Sequence, residues 1–400
     1  MVSLVQRLKA QNPKIRIFGT FNVSALDYDF FRARADIDWS AFDGVYTSAA
    51  LGTRMPHPLF LKTIFEDAAH GIDSYNAVFV GHDADDVVTA RSFGMHGVLL
   101  QDFNKVRREL LNLVGDPVKR GWEYLRKNAG NLVSETDTGV SMMENFGQLL
   151  ILEATEDRSL VSIQDPPRYW NFFQGKGILT HERLPDDLDT TSLGLIVTKP
   201  PKEHVNSLMD EMLEYLSDDG LPFTYFDRNL PRLDPVVSVN VLHLFYTHGR
   251  GSQLPGALAW VHNMLLNRAY LSGTRYYFAE CFLYFTGRLL AASDDAYLHE
   301  QLEDLLRERL TELMGAPGDA IALAMRIVTC ASLGISDDLD MRNLLPLQCE
   351  DGGWEIGWIY RYGISGMKVG SRGFTTTMAI KAIEALDDLK VRGANANGST

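Results

Sequence analysis

The chain has 400 residues, 46% hydrophobic and 22% charged. That is enough for two or three domains with cores of their own, and it excludes a disordered, collagen-like or disulfide-stapled protein. Thirty-eight basic against 52 acidic side chains give a formal net charge of −14, which excludes a general nucleic-acid binder, because phosphate affinity needs a Lys/Arg excess; a local basic pocket for a small anion is still compatible with it.

Taken in chain order, residues 1–115 alternate between helix-like and strand-like segments. A helix-like start is followed by a short apolar run at 15–19, a helix at 25–35, a strand at 44–47 and a helix at 59–69. The run AVFVG (77–81) is bounded by polar residues and leads through an acidic turn into a helix ending at Phe93. A strand at 97–101 and a helix at 104–113 complete the region. Strict alternation predicts an α/β domain with a parallel sheet and crossover helices. From about Pro117 strand patterns nearly vanish. Amphipathic windows predict helices at 142–154, 205–216, 236–246, 255–267, 275–292, 297–313, 319–331 and 374–386, joined by short Gly/Asp/Pro turns. Many helices of this length with short links predict helix hairpins stacked in a ring or bundle. The tail 391–400 (VRGANANGST) is small and polar and is expected to be disordered.

Targeting and redox features are sparse. The opening apolar run is too short for a signal peptide, and no stretch reaches the ~18 apolar residues of a membrane span. Cys281, Cys330 and Cys349 are widely spaced and in no CxxC pair. They are read as small core residues of a protein in a reducing, cytoplasmic compartment.

No P-loop, HExxH, GxSxG or GxGxxG after a strand occurs, and the ten histidines show no metal-ligand spacing. The outstanding feature is Asp186-Asp187-Leu188-Asp189-Thr190-Thr191, between Pro185 and an apolar helix at 192–197. A helix N-cap explains one such residue, since Asp and Thr cap well and acids suit a helix N-terminus. It does not explain five cap-forming residues around one Leu. The alternative is a pair of carboxyls held close and buried, so that one stays protonated near neutral pH. Such an acid in a dry apolar pocket can protonate an alkene.

DLDTT resembles the DxDTT variant of the DxDD motif of class II terpene cyclases. Gln348-Cys349-Glu350-Asp351-Gly352-Gly353-Trp354 is similar to the QW repeat of that superfamily's α/α barrels. The N-terminal part resembles a haloacid dehalogenase-like (HAD) core, most closely at 77–95 and 47–58. A HAD-like domain (1–115) followed by an α/α-barrel cyclase domain (116–390) is the architecture of drimane-type sesquiterpene cyclases. The resemblance covers nearly the whole chain, and it implies conversion of farnesyl diphosphate to a bicyclic drimane-type diphosphate. It implies Asp189 as the proton donor, Asp187 as the group that tunes and orients it, and Thr190 and Thr191 as hydroxyls replacing the last acidic position.

The carbocations of that family need electron-rich walls. The candidates are Trp170, Phe172, Phe173, Tyr225, Phe226, Trp354, Trp358 and Tyr360. For the diphosphate, Lys368 and Arg372 stand among glycines before a helix, where backbone N–H groups and cations meet phosphate oxygens; Arg361 and Arg275 are further candidates. Mg²⁺ is expected to arrive with the substrate diphosphate, with no ligand set evident in the sequence. The partner is a small prenyl diphosphate, without nucleic acid or membrane insertion; a homodimer is compatible with this.

The HAD-like part departs from its family. The chain begins too late for the first-strand DxD nucleophile. The second-motif hydroxyl falls at Thr20 or Phe21, the third-motif Lys at Met55, and the fourth-motif acids at Gly81 and His82, with Asp83, Asp85 and Asp86 displaced. A structural or dimerising role is therefore expected. The rival readings are a bifunctional cyclase-phosphatase releasing monophosphate or alcohol, a geranylgeranyl diphosphate cyclase, a phosphatase with a helical accessory, and a helical isoprenoid-binding protein in which DLDTT is only a cap.

Overall fold

A computed structural model describes residues 2–34, 38–67 and 72–397. The chain divides into two compact units, Met1–Asp116 and Pro117–Thr400.

The first unit runs α1 (Val2–Gln11), β1 (Phe18–Phe21), α2 (Ala25–Arg32), β2 (Gly44–Thr47), α3 (Ser48–Leu51), α4 (Pro58–Asp67), β3 (Val78–Gly81), α5 (Ala84–Ser92), β4 (His96–Leu99) and α6 (Phe103–Val114). Ser24, Thr47, Asp83 and Asp102 each cap a helix through a side-chain oxygen, which satisfies amide groups that the helix leaves open. The strands do not join into one sheet as expected. They form two separate parallel pairs, β1 with β2 (Phe18 opposite Gly44) and β3 with β4 (Val78 opposite His96). The first strand also lies later than the apolar run at 15–19, because the Asp43 carboxylate takes the Ile17 amide before the ladder begins. Phe60, Leu61, Phe79, Val87 and Met95 make the main core of this unit.

The second unit comprises α7 (Pro117–Lys127), β5 (Ser134–Thr136), β6 (Ser141–Met142), α8 (Asn145–Thr155), α9 (Leu188–Thr198), α10 (Lys202–Met212), α11 (Pro235–Thr247), α12 (Pro255–Leu266), α13 (Ala279–Ala291), α14 (Ala296–Leu313), α15 (Ala320–Ser332), α16 (Asp338–Leu344), β7 (Trp358–Arg361), β8 (Lys368–Gly370) and α17 (Arg372–Asn397). Packing runs α8–α9–α11–α13–α15–α17 and from α17 back to α8, a closed inner ring of six helices; α7, α12, α14 and α16 pack outside it. The sequence sets this division. α11 is apolar all round and buried at every position from Pro235 to Tyr246, as an inner helix must be. α14 is buried mainly along one stripe, Leu298, Leu302, Leu306 and Leu310, the four-residue spacing of an outer helix. The α/α-barrel expectation is met in this arrangement.

Three expectations need correction. A four-stranded antiparallel sheet, in the order β6-β5-β8-β7, lies where only helices were expected. Its strands are two to four residues long, too short for alternation to register. The helix expected at 275–292 begins at Ala279, which leaves Arg275, Tyr276 and Tyr277 in a connection. The tail is not irregular from 391: α17 continues to Asn397, because adding residues to an existing helix escapes the nucleation cost. Residues 398–400 lie outside the described chain. Among the described residues no helix is long and apolar enough to cross a membrane.

Candidate active site

Asp187 is the N-cap of α9. Its Oδ1 accepts from the Thr190 amide at 2.5 Å, and its backbone is pinned by bridging to Tyr225. Asp189 is the second residue of the same inner helix, on its first turn. Both are nearly dry, 4% and 5% exposed, and both line a cavity of about 780 Å³, inside the roughly 300–1,000 Å³ range of small-molecule sites.

The two carboxyls differ in their partners. Asp189 Oδ1 accepts from Asn240 Nδ2 of α11 at 2.7 Å, and Oδ2 is bonded by the Tyr277 hydroxyl. The Asp187 carboxyl is bonded by the amide and side chain of Thr190 alone, and its Oδ2 is buried without a hydrogen-bond partner among the described residues. Burial raises both. Asp187, beside Asp189 and poorly solvated, is held far above the usual carboxylate range. Burial pushes Asp189 up to about 7, against the opposing bonds from Tyr277 and Asn240. Asp189 therefore combines two properties that alkene protonation requires. It is still substantially protonated at neutral pH, and two donors are in place to stabilise the carboxylate it leaves. Burial first, and then the neighbouring Asp189 charge, disfavour a second carboxylate at Asp187.

The donor from Asn240 is fixed from behind. Arg288 Nη1 bonds Asn240 Oδ1 at 3.3 Å, and Nη2 pairs with Glu153. A guanidinium can only donate, so the Asn240 carbonyl faces Arg288 and its NH₂ faces Asp189. Both threonines make hydrogen bonds, each to a different part of the site, and the Thr190 side chain also bonds Asp187. The Thr190 amide caps back to Asp187, while Thr191 Oγ1 accepts from the Trp170 amide and donates to its carbonyl, locking the loop before α9. The Trp170 ring packs on that helix at Gly194, where a Cβ would stand 2.3 Å from Nε1.

The wall contains Phe172, Phe173, Tyr225 and Tyr360, as expected, together with Tyr276, Tyr277 and Tyr362, which sequence reasoning missed. Tyr360 reaches it because a bulge between Trp358 and Tyr360 breaks the strand's alternation. Trp170, Phe226, Trp354 and Trp358 do not line the cavity. Trp354 is fully buried and donates Nε1 to the Leu344 carbonyl.

The cation assignment is corrected as well. Arg372 is consumed by the QW segment: it pairs bidentately with Asp351, bonds the Trp354 carbonyl and lies over the Tyr124 ring. Lys368 is exposed on β8 and is not part of the cavity. The cations at the cavity are Arg361 and Arg275, both proposed from sequence, and Arg183 and Arg232, which were not. Arg361 is held by the Thr274 and Ser272 carbonyls, Arg232 by the Tyr276 hydroxyl, and Arg275 lies over the Tyr276 ring. None of these contacts neutralises a positive charge. All four are exposed or half-buried, whereas the carboxyls are buried, so the cavity has a charged mouth and a dry acidic end. Among the described residues no group of three or more His, Cys, Asp or Glu could hold a metal ion.

Residues 118–248 match the family of sesquiterpene cyclase astC-like C-terminal domains. The chain is 43% identical over 383 residues to drimenol cyclase drtB of Aspergillus calidoustus, covering 95% of this chain and 72% of that protein. A 117-residue stretch is 32% identical to sesquiterpene phosphatase astK of Aspergillus oryzae, covering 29% of this chain and 56% of that one. The fold is that of type II terpene cyclase MstE from Scytonema, with a TM-score of 0.50 at 14% identity over 68% of this chain and 98% of that one. With a buried carboxyl pair at the end of an α/α-barrel cavity and a relative this similar over nearly the whole of this chain, the chain belongs to the drimenol cyclase family of class II sesquiterpene cyclases.

Proposed function

We propose that the enzyme cyclises farnesyl diphosphate to a bicyclic drimane-type diphosphate, with Asp189 as the proton donor. The observation that carries this reading is Asp189 itself: a buried, still-protonated acid bonded by Asn240 and Tyr277, at the far end of a cavity whose mouth carries four arginines. The diphosphate sits among Arg183, Arg232, Arg275 and Arg361, and the isoprenoid chain runs inward to Asp189. Asp189 protonates the distal alkene. The resulting tertiary cation is attacked by the next double bonds in turn to give a decalin, and the tyrosine and phenylalanine faces attract the charge as it moves. Exclusion of water keeps the cation from early capture. In this reading Mg²⁺ enters only with the substrate diphosphate, and the enzyme works as a cytoplasmic protein, alone or as a homodimer. Incubation with farnesyl and with geranylgeranyl diphosphate, followed by mass analysis before and after added phosphatase, tests the reaction and the substrate length; no cyclised product from farnesyl diphosphate refutes it.

The anion site carries a prediction of its own. Arg232→Ala and Arg361→Ala each remove a charge-assisted contact of roughly 1.5–3 kcal/mol and are expected to raise KM by about ten- to a hundredfold. Lys368→Ala is expected to leave KM within about twofold. The reverse pattern in steady-state kinetics moves the diphosphate to β8.

The two parallel strand pairs of the first unit and the match to a sesquiterpene phosphatase support a HAD-like origin for residues 1–115. That match, and a relative named for the alcohol drimenol, favour a second reading in which the enzyme also releases phosphate. Met55, Gly81 and His82 at the positions of a Lys and two acids weigh against it, as does Asp83, which is occupied as the cap of α5. The untreated reaction mixture separates the two: diphosphate as the product supports cyclisation alone, whereas monophosphate or alcohol formed in step with cyclisation, and lost on changing Asp83, Asp85 or Asp86, supports the bifunctional enzyme.

A further inference from the structure

Five tyrosines line the cavity, and four of their hydroxyls are occupied. Tyr277 bonds Asp189, Tyr225 donates to Tyr276, Tyr276 accepts from Arg232, and Tyr362 donates to the Ile178 carbonyl. The fifth, Tyr360, is 5% exposed and its hydroxyl has no hydrogen-bond partner among the described residues. A buried hydroxyl left open on a cavity wall is expensive unless it has a task there.

Behind Tyr360 lies a second buried acid. Glu144, 1% exposed, is the N-cap of α8; its oxygens accept from the Gly147 amide and from Ser134 Oγ. The point where Gly147 would carry a Cβ is 2.3 Å from Glu144 Oε1 and 3.5 Å from Tyr360 Oη. The two oxygens are therefore neighbours across Gly147 without a direct hydrogen bond, and a side chain at this position would crowd both. Burial brings Glu144 to about 7, so its carboxylate is present at neutral pH. Tyr360 is also tied to the acidic end. Its backbone bridges to that of Tyr277, and the two rings are 5.7 Å apart between centroids. The cavity therefore has a proton donor at Asp189 and, one aromatic ring further along the wall, a hydroxyl backed by a carboxylate.

Resting on the cyclase reading above, we infer that Tyr360 is the base that ends the reaction, with Glu144 as the positioning residue that takes the proton from it. A C–H bond next to the final ring cation breaks, and its electron pair becomes the C=C bond of the product. The proton passes to Tyr360 Oη, whose phenolic proton moves to the Glu144 carboxylate by way of one bridging water that gives up a proton as it takes one. No other reactant is needed, and the overall reaction stays an isomerisation. Two other cavity groups have an unpartnered oxygen among the described residues, Asp187 Oδ2 and Thr224 Oγ1. Asp187 sits in the donor's own motif, two residues from Asp189, where the first proton is delivered rather than the last one removed, and an aliphatic hydroxyl such as that of Thr224 is a weak base with no carboxylate shown beside it.

The test compares products as well as rates, using the full-length protein with farnesyl diphosphate. Tyr360→Phe keeps the ring and removes the hydroxyl. It is expected to consume substrate but to lower the wild-type alkene at least about tenfold relative to water-captured alcohols and misplaced-alkene isomers. Glu144→Gln keeps an acceptor for the Gly147 cap and removes the basic carboxylate; it is expected to shift the ratio in the same direction. A slower enzyme with an unchanged product ratio in Tyr360→Phe overturns the inference, since a ring needed only for packing alters rate and not the site of deprotonation. Should Tyr360→Phe fail to fold by circular dichroism, Glu144→Gln decides by the same ratio. Absence of cyclised product from the wild type would sink the cyclase reading; an unchanged ratio with an active wild type sinks only the role of Tyr360.

Discussion

Asp189→Asn abolishes cyclisation, with kcat falling by at least about 10³-fold, while substrate binding and the melting temperature stay close to wild type. The amide has the shape of the acid and can keep bonds to Asn240 and Tyr277 by adjusting which atoms donate, but it has no transferable proton. Loss of a general acid typically costs 10²–10⁴ in rate, and the cavity supplies no bulk water to substitute. Asp187→Asn replaces a carboxyl that burial already holds well above the usual range; it is expected to lose far less, about 10- to 100-fold, through the altered environment of its neighbour. Equal losses in the two variants would mean that the pair shares the proton, and more than a tenth of activity retained in Asp189→Asn removes it from the role. The pH dependence follows with a definite sign. The active form of Asp189 is protonated, and burial places its titration at about 7. In kcat/KM, which reports groups of the free enzyme, activity falls as pH rises through that value, approaching tenfold per unit beyond it. An unchanged kcat/KM from pH 6 to 9 contradicts the assignment.

Arg326→Leu is expected to cost about 3–5 kcal/mol of stability, the penalty for leaving a buried charge without its partner. Arg326, on α15 of the inner ring, is 1% exposed. Its Nε and Nη2 pair with both oxygens of Asp340 on α16 at 2.7 and 3.0 Å, Nη1 reaches Glu280 at the start of α13 at 3.1 Å, and Nη2 also bonds the Ala316 carbonyl. One side chain thus joins two inner helices to an outer one. Removing it strands Asp340, which is fully buried. Adding Asp340→Leu to Arg326→Leu is expected to recover part of the loss, because an apolar pair no longer contains an unpaired ion. Urea unfolding measures both; a single-variant loss below about 1 kcal/mol would show that water reaches Asp340.

Local signals gave the sequence reading its strength. DLDTT was legible because its chemistry is packed into one helix turn: Asp187 as the cap and Asp189 on the first turn follow from helix geometry alone. The inner and outer helices were legible because burial on all sides or on one stripe is written into hydrophobic spacing. The QW segment was legible as a motif, but its role was not. Arg372 and Trp354 looked like ligands for a diphosphate and a cation, and each instead finds its partner inside the clasp, Asp351 and the Leu344 carbonyl.

What sequence alone determined was the α/β-then-helical order, the acid pair and the family; what only tertiary structure decided was the company Asp189 keeps. Asn240, Tyr277 and Arg288 come from α11, from the connection before α13, and from α13 itself, between 51 and 99 residues along the chain. No spacing rule links them, because closure of the helix ring, not chain proximity, brings their side chains to one carboxyl. The same holds for Arg183 and Arg232 at the mouth, and for Tyr360, which a one-residue bulge in a four-residue strand turns toward the cavity. A single unpaired residue changes which face a strand presents, and nothing in local composition announces it.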